Sequence, residues 1–292
     1  MYKKIYVPMK VKCVKKEIEK DAAAYIKNTY EKVMGRSLHL DPPVTYTEKI
    51  QWQKLYDDNP LYTLCADKVA VREYITKNFL GGGVKISFPK WYGIYSSPGE
   101  INFQLLPDQF VLKSNHASCQ VIICNDRKKL NLRKTRRELN NWLKTNYYYE
   151  SAEKQYKNIV PKIICEELLE NNIIDYRIFC FNGEPYLIKV TQHNDSVPGG
   201  YDSATYYKDW TKADIVWNQD HGQLEMEKPD RLNDMLEIAR LLSRQFRFVR
   251  VDLYDVEDRI YFSELTFTPN SGFVKDISYE WDKKLGDMFS VK

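Results

Sequence analysis

Two β-hairpins in the second half of the chain restrict its fold more than any other feature. The first has Asn182-Gly183 between the alternating runs 176–181 and 186–190, and an Asn-Gly pair in this setting is the strongest short-range hairpin signal. A second hairpin is predicted from the runs 248–254 and 260–266. Because hairpins pair antiparallel strands and these two follow a mainly helical stretch, the sequence predicts an α+β fold with antiparallel sheets.

Helical periodicity dominates the first quarter of the chain. Apolar side chains spaced three and four residues apart predict helices over residues 15–34, 47–56, 61–78, 132–146 and 231–245. Gly35 and the triplet 81–83 are expected to end the first and third helices, and Thr47 could cap the second. Short β-rich runs predict strands at residues 110–113, 121–124 and 163–166.

Composition excludes several classes of protein. The 292 residues suit one large domain or two small ones, and the net charge of +4 is too small to favour nucleic acid as a partner. No apolar run approaches the length of a membrane-spanning helix, and the lysine-rich first twenty residues lack the apolar centre of a secretion signal. The six cysteines form no CxxC pair. They predict buried free thiols in a reducing cytoplasm, with neither zinc nor disulfides.

The second hairpin carries the most informative charged residues. A turn centred near residue 258 places Asp252 across from Glu264 and Arg250 across from Thr266, with Phe262 expected on the same face as Glu264. Two facing carboxylates repel unless a positive charge lies between them. A Mg²⁺ ion with substrate phosphates would satisfy them. The alternative is that Arg250 neutralises Asp252 and that Glu264 faces solvent.

Other charged residues lie at strand ends. Lys113 ends a strand and precedes a loop of small residues, 114–120, which suits phosphate binding. The loop contains no glycine, however, and this favours an ordinary hairpin connection. Glu166 and Glu167 end another strand, where they could bind a ribose hydroxyl or an amine edge, or simply face water.

The first hairpin brings two cations together. With its turn at 182–183, Arg177 and Lys189 become close neighbours but not direct partners, and an anion is expected between them. Asp175 or Asp195 could supply this charge from within the protein. His116 and His193 have no metal-ligand spacing and are interpreted as loop histidines with satisfied hydrogen bonds.

Seven segments in one order resemble the TupA-like branch of the ATP-grasp superfamily, named after a protein of teichuronopeptide synthesis in cell walls. The resemblance spans about Tyr30 to Phe273. The segments are TYTEKIQWQKLYD (45–57), NPLYTLCADKVAVREY (59–74), FVLKSNH (110–116), NWLKTNYYY (141–149), DYRIFCFNGEP (175–185), FVRVDLY (248–254) and ELTFTPNSGF (264–273).

The resemblance implies two α+β subdomains with antiparallel sheets that grip ATP between them. The expected division is a helical N-terminal region at 1–108, a lid subdomain at 109–167 and a core subdomain at 168–292. Members of the superfamily typically activate a carboxylate as an acyl phosphate, release ADP and let an amine attack to form an amide.

The resemblance also implies roles for individual residues. Asp252 and Glu264 would hold Mg²⁺, Arg177 would neutralise the transferring phosphate, and Arg250 would clamp the carboxylate or acyl phosphate. The residues expected to contact the nucleotide are Lys113 and Lys68, the flap residues His116 and Ser118, the hinge residues Glu166 and Glu167, and Lys189.

Two departures from the family pattern concern these roles. The flap, which commonly contains glycine, is His-Ala-Ser-Cys-Gln at 116–120. The usual Glu-x-Asn metal motif is Glu264-Leu265-Thr266, so Asn270 is considered as a substitute third ligand.

The expected function is that of a cytoplasmic, Mg²⁺- and ATP-dependent carboxylate–amine ligase in surface or capsular polysaccharide synthesis. It would couple an amino acid or related amine to a uronic acid carboxylate on a sugar precursor, with peripheral contact to membrane-associated polysaccharide machinery and no nucleic acid partner. Two alternatives stay open. One is a glycosyltransferase using a nucleotide-sugar, although 255–258 matches Asp-x-Asp poorly; the other is a non-catalytic nucleotide-binding relative.

Overall fold

A computed structural model describes residues 8–80, 85–169, 173–193, 201–217 and 225–291, with side chains from residue 14 onward. The glycine triplet 81–83, Asp195 and the side chain of Cys13 lie outside these ranges. Within the described ranges, no helix combines the length and the apolar character that a bilayer-spanning segment needs.

The described residues form two antiparallel sheets with helices before, between and after their strands. The helices are α1 (Pro8–Lys20), α2 (Ala22–Met34), α3 (Tyr46–Tyr56), α4 (Leu61–Ala66), α5 (Ala70–Phe79), α6 (Leu132–Leu143), α7 (Tyr148–Ser151), α8 (Leu232–Ser243) and α9 (Tyr279–Asp287). The strands are β1 (Trp91–Tyr95), β2 (Phe110–Ser114), β3 (Val121–Cys124), β4 (Ile163–Glu166), β5 (Asp175–Phe181), β6 (Glu184–His193), β7 (Tyr201–Tyr207), β8 (Phe248–Val256) and β9 (Arg259–Thr266). The predicted α+β class with antiparallel sheets is confirmed.

Aspartates divide two of the predicted helices. Asp21 accepts a hydrogen bond from the Ala24 N–H at 3.0 Å, so one predicted helix becomes α1 and α2. Asp67 accepts from the Val69 N–H at 2.8 Å and separates α4 from α5. Short acidic side chains bond to nearby backbone N–H groups, and they therefore start new helices.

Helix α3 begins with a capping box, and the predicted cap residue is wrong. Thr45 accepts from the Glu48 N–H, while the Glu48 carboxylate accepts from the Thr45 N–H at 3.0 Å. The Thr47 hydroxyl instead donates to Asp282 of α9 at 2.6 Å. The reciprocal pair satisfies two otherwise unpaired backbone donors and fixes where α3 starts.

The first sheet has the strand order β1-β4-β2-β3. Strand β1 lies inside the range 1–108 that was expected to be helical, and it pairs with β4. The outer strand was not predicted because 91–95 carries no clear apolar alternation: most of its residues are half-buried. Helix α6 covers one face of this sheet through Leu139 and Trp142.

The second sheet has the order β7-β6-β5-β8-β9. Helix α8 packs on one face, where Val249, Val251 and Leu253 join the main core. The other face carries the charged residues singled out in the sequence, and at one end it is closed by aromatic side chains that include Phe179 and Trp217. The core therefore lies on one side of the sheet and leaves the opposite side for polar groups.

Two bulges change the predicted registers of this sheet. An irregularity between Phe179 and Cys180 makes Arg177 and Lys189 direct partners, whereas the turn alone would have left them offset. In the second hairpin the strands pair Leu253 with Phe262 and then Asp252 with Glu264, so Ser263 is the extra residue. The predicted opposition of Asp252 and Glu264 is confirmed, but Phe262 lies on the apolar face instead of beside Glu264.

Candidate active site between the two sheets

Asp252 and Glu264 face each other on neighbouring strands with a guanidinium between them. Arg250 donates to Asp252 through two hydrogen bonds of 2.7 and 2.5 Å, and its Nη2 lies 3.5 Å from Glu264 Oε1. Asp252 is buried, while the side chain of Glu264 is 34% exposed. Arg250 thus neutralises Asp252, as the alternative interpretation of the sequence expected, and Glu264 stays partly exposed.

The two carboxylates differ in their affinity for a proton. Burial raises the pKa of Asp252, and Arg250 only partly opposes this effect. Burial also acts to raise the pKa of Glu264, but Lys68 and Arg250 outweigh it, so this pKa is lowered. One member of the pair is therefore readily ionised, and the other depends on a nearby cation to stay charged.

The atoms at this carboxylate pair that could bind a metal ion are oxygen atoms. The Thr266 hydroxyl donates to Glu264 at 3.1 Å and accepts from Arg250 at 3.1 Å. Within the described part of the chain, no group of three or more His, Cys, Asp or Glu side chains could hold a metal ion. Two carboxylates and a hydroxyl fit Mg²⁺, which takes few protein ligands and completes its shell with phosphate and water.

Thr266 was not predicted as a site residue, although strand alternation places it on the face of Glu264 two residues away. Asn270 was considered instead. It lies beyond the end of β9 in the turn Pro269–Gly272, is exposed and has a left-handed backbone with φ of 52°. That Asn270 is a third metal ligand stays a prediction. The hydroxyl of Thr266 is the possible oxygen ligand that lies nearer to Glu264 along the chain.

A row of charges crosses the second sheet at this level. The cross-strand partners run from Lys189 on β6 through Arg177 on β5 and Asp252 on β8 to Glu264 on β9. Asp175, one of the two predicted counterions, pairs with Arg177 at 2.7 Å. Burial acts to lower the pKa of Arg177, but Asp175 reverses this effect and the pKa is raised. Two cations therefore border two carboxylates on one face.

Lys68 connects this row to the first sheet. Its ammonium donates to the Ala117 carbonyl at 2.9 Å, in the loop after β2, and lies 3.7 Å from Glu264. Its side chain is 15% exposed, and burial lowers its pKa while Glu264 opposes that change. Lys68, which the family resemblance implied as a nucleotide contact, therefore makes a charged contact between the two sheets.

A small cleft beside Lys68 contains three of the predicted nucleotide-binding residues. Lys113 and Glu166, on adjacent strands of the first sheet, form a 2.5 Å ion pair, and both line the cleft with Lys68. Glu167 instead accepts from the Lys90 N–H at 2.7 Å, outside the cleft.

Aromatic side chains that the sequence did not single out form the other wall of this cleft. Trp91, Phe88 and Phe262 line it, and the Arg72 guanidinium stacks over Trp91 at 4.2 Å. A flat apolar wall opposite charged groups suits a planar base with attached phosphates. In the sequence, this aromatic wall could have been indicated by the two cations of segment 68–72 together with the two aromatic residues and the lysine of segment 88–91.

The flap residues occupy two different environments. His116 is buried, and its ring nitrogens lie 3.1 Å from Asn115 Oδ1, Trp142 O and Thr145 O. Burial lowers its pKa, so the ring is a packed loop histidine and is not presented to the cleft. Ser118 is exposed, as is Cys119, which corrects the expectation that all the cysteines are buried.

Comparisons with known proteins agree with the motifs. A family model described as TupA-like ATPgrasp matches residues 48–290. No curated protein sequence matches the chain.

Two solved structures have similar folds. D-alanine–D-alanine ligase from Bacillus anthracis, complexed with ATP, is 15% identical with a TM-score of 0.45, covering 77% of this chain and 65% of its own. L-amino acid ligase from Bacillus licheniformis is 13% identical with a TM-score of 0.48, covering 88% of this chain and 57% of its own. The chain thus spans less than two thirds of either structure.

Because the family model covers most of the sequence, the protein belongs to the TupA-like ATP-grasp family.

Proposed function

We propose that the protein is an ATP-dependent ligase that joins a carboxylate to an amine and releases ADP and phosphate. The observation that carries this proposal is the row of Lys189, Arg177, Asp252 and Glu264 on one face, beside the cleft of Lys68, Lys113 and Glu166. Cations that border a carboxylate pair are what a phosphate chain and its metal require.

The proposed reaction has two steps. A carboxylate oxygen of the acceptor bonds to the γ-phosphorus of ATP as the bond to ADP breaks, giving an acyl phosphate. An amine then bonds to the acyl carbon, phosphate leaves and the amine loses a proton to solvent or to that phosphate. Asp252 and Glu264 would hold Mg²⁺, which supplies positive charge to the phosphate oxygens when bound.

The positively charged side chains of the protein have separate proposed roles in that reaction. Arg177 offsets the charge on the transferring phosphate from its place beside Asp252. Arg250 lies between both carboxylates with its side chain 13% exposed, where it can bind the acceptor carboxylate or the acyl phosphate. Lys68 and Lys113 bind the nucleotide phosphates from the other side of the cleft, with Lys189 at the far end of the row.

The proposed acceptor is a uronic acid on a sugar precursor, and the amine is an amino acid or a related compound. This places the protein in surface or capsular polysaccharide synthesis, acting in the cytoplasm with peripheral contact to membrane-associated machinery. The support is the context that the family resemblance implies, together with the row of charges on the second sheet.

The glycosyltransferase alternative has less support. Its metal motif would have to come from residues 255–258, but Arg231 binds Asp255 at 2.7 Å and Asp258 at 2.8 Å. Both carboxylates already have a counterion away from the cleft.

The proposal is tested by measuring ADP release from ATP and Mg²⁺ with panels of uronates and amines. Asp252→Asn should reduce turnover by at least about a hundredfold, because the carboxylate pair loses one charge. Asp255→Asn is the matched control on the same strand and should retain full turnover. Equal activity of wild type and Asp252→Asn would contradict the proposal, and tight nucleotide binding without turnover would favour a non-catalytic relative.

A further inference from the structure

A second cleft lies at the C-terminal end of β9. It is bounded by the end of α3, the turn that follows it and the 3₁₀ turn Lys154–Tyr156, and its cavity volume is about 170 Å³. Its polar lining includes Gln53, Lys54, Asp57, Asp58, Asn158 and Thr268.

One buried side chain in this cleft has an unpaired acceptor. Gln53 is 4% exposed, and its Nε2 donates to the Phe267 carbonyl at 3.1 Å, which fixes the orientation of the amide. Its Oε1 has no hydrogen-bond partner among the described residues. Leaving a buried acceptor unpaired is unfavourable, so a ligand that presents an O–H or N–H group here gains a hydrogen bond that the protein alone does not make.

The charges of the cleft cancel. Its lining carries two lysines, Lys54 and Lys154, against two aspartates, Asp57 and Asp58, and Lys154 pairs with Asp58. A ligand with a large net charge therefore finds no excess of opposite charge. Polar side chains with both donors and acceptors, set against the apolar wall of Tyr62 and Phe267, instead match a ring that carries many hydroxyl groups.

We infer that this cleft binds the sugar ring of the acceptor, with Gln53 accepting a hydrogen bond from a ring hydroxyl. The inference deepens the proposed function and rests on it, since Thr268 lies two residues beyond Thr266, whose hydroxyl contacts Glu264. A ring held here would sit at the end of β9, the strand that carries Glu264, so its own carboxylate could reach the charged row.

The test compares two glutamines of one helix. Gln51 is also buried, donates to the Ser271 carbonyl at 3.0 Å and has an unpaired Oε1, but it does not line the cleft. Gln53→Met should raise the dissociation constant of glucuronate and of glucose by roughly fivefold to tenfold, the cost of one hydrogen bond. Gln51→Met should leave it unchanged. Ligand-observed NMR measures binding to the full chain, and thermal unfolding confirms that each variant is folded.

A variant at the mouth of the cleft makes the test independent of the buried glutamine. Asn158 is exposed, so Asn158→Trp should fill the cleft without disturbing the core and should abolish sugar binding. Failure of wild type to bind either sugar, equal weakening by Gln51→Met and Gln53→Met, or displacement of sugar by glycine would overturn the inference.

Measurements of nucleotide binding and turnover distinguish failure of the sugar site from failure of the proposed function. MgATP affinity should be the same in wild type, Gln53→Met and Asn158→Trp. If sugar binds as expected but ATP is never consumed, the proposed function fails while the sugar site stands. If ADP is released with uronate at an unchanged KM in Gln53→Met, the sugar site is wrong and the ligase activity stands.

Discussion

Replacing Lys54 with methionine should change how the protein's stability depends on pH. Lys54 is a buried residue on α3, and its ammonium donates to the Ser271 carbonyl at 3.2 Å and lies 5.1 Å from the centre of the Phe273 ring. Burial lowers the pKa of Lys54 to about 8, with Glu153 partly opposing the change. Its charged form is therefore less stable in the folded protein than in the unfolded chain.

The sign follows from proton binding in the two states. Between a folded pKa of about 8 and the ordinary value of 10.5, the unfolded chain holds more protons on Lys54, so the free energy of unfolding rises with pH. Below pH 8 the buried charge of Lys54 lowers the free energy of unfolding by its full amount. This loss becomes smaller as the pH rises from 8 toward 10.5. From pH 7.5 to 9.5 the wild type should gain about 2 kcal/mol relative to Lys54→Met, since each unit of pKa corresponds to about 1.4 kcal/mol.

The assay is urea unfolding followed by tryptophan fluorescence at pH 7.5, 8.5 and 9.5. Burial raises the pKa of Glu153, so the same comparison in a Glu153→Gln background isolates the lysine from its partner. A difference in the free energy of unfolding between wild type and Lys54→Met that stays constant across the three pH values, within about 0.5 kcal/mol, would refute the argument that burial lowers the pKa of Lys54.

Two further substitutions test the contact between the sheets and the start of α3. Lys68→Met should weaken MgATP binding on the order of tenfold, because a charged contact to Glu264 and to the flap backbone is lost; the exposed Lys77→Met on α5 should bind normally in the same titration. Thr45→Ala should lower the free energy of unfolding by about 1 kcal/mol through loss of the capping box with Glu48. The exposed Thr76→Ala on α5 should change it far less, and equal losses in thermal unfolding would argue against the cap.

Local signals predicted the hairpins well. An Asn-Gly turn and alternating apolar residues depend on neighbouring positions alone, so the four hairpin strands of the second sheet and the pairing of Asp252 with Glu264 followed from the sequence, whereas β7 was not predicted. The residues that bear charge on that face were identified for the same reason. What each of them binds stays a prediction, because the roles came from the family resemblance.

Long-range packing accounts for what was not predicted. Strand β1 owes its structure to pairing with β4, more than sixty residues away in the sequence. The central position of Lys68 depends on how the two sheets approach each other, and the burial of His116 depends on backbone carbonyls at Trp142 and Thr145. None of these contacts leaves a periodic pattern in the sequence.

The extra residue at Ser263 makes the length of this hairpin a requirement for the geometry of the proposed active site. A relative that kept both acidic residues but had one residue fewer between them would lose the bulge and turn one acid toward the hydrophobic core. Related proteins can therefore differ in many side chains of this hairpin, but an insertion or deletion of a single residue would have to be balanced by a second one within the same loop.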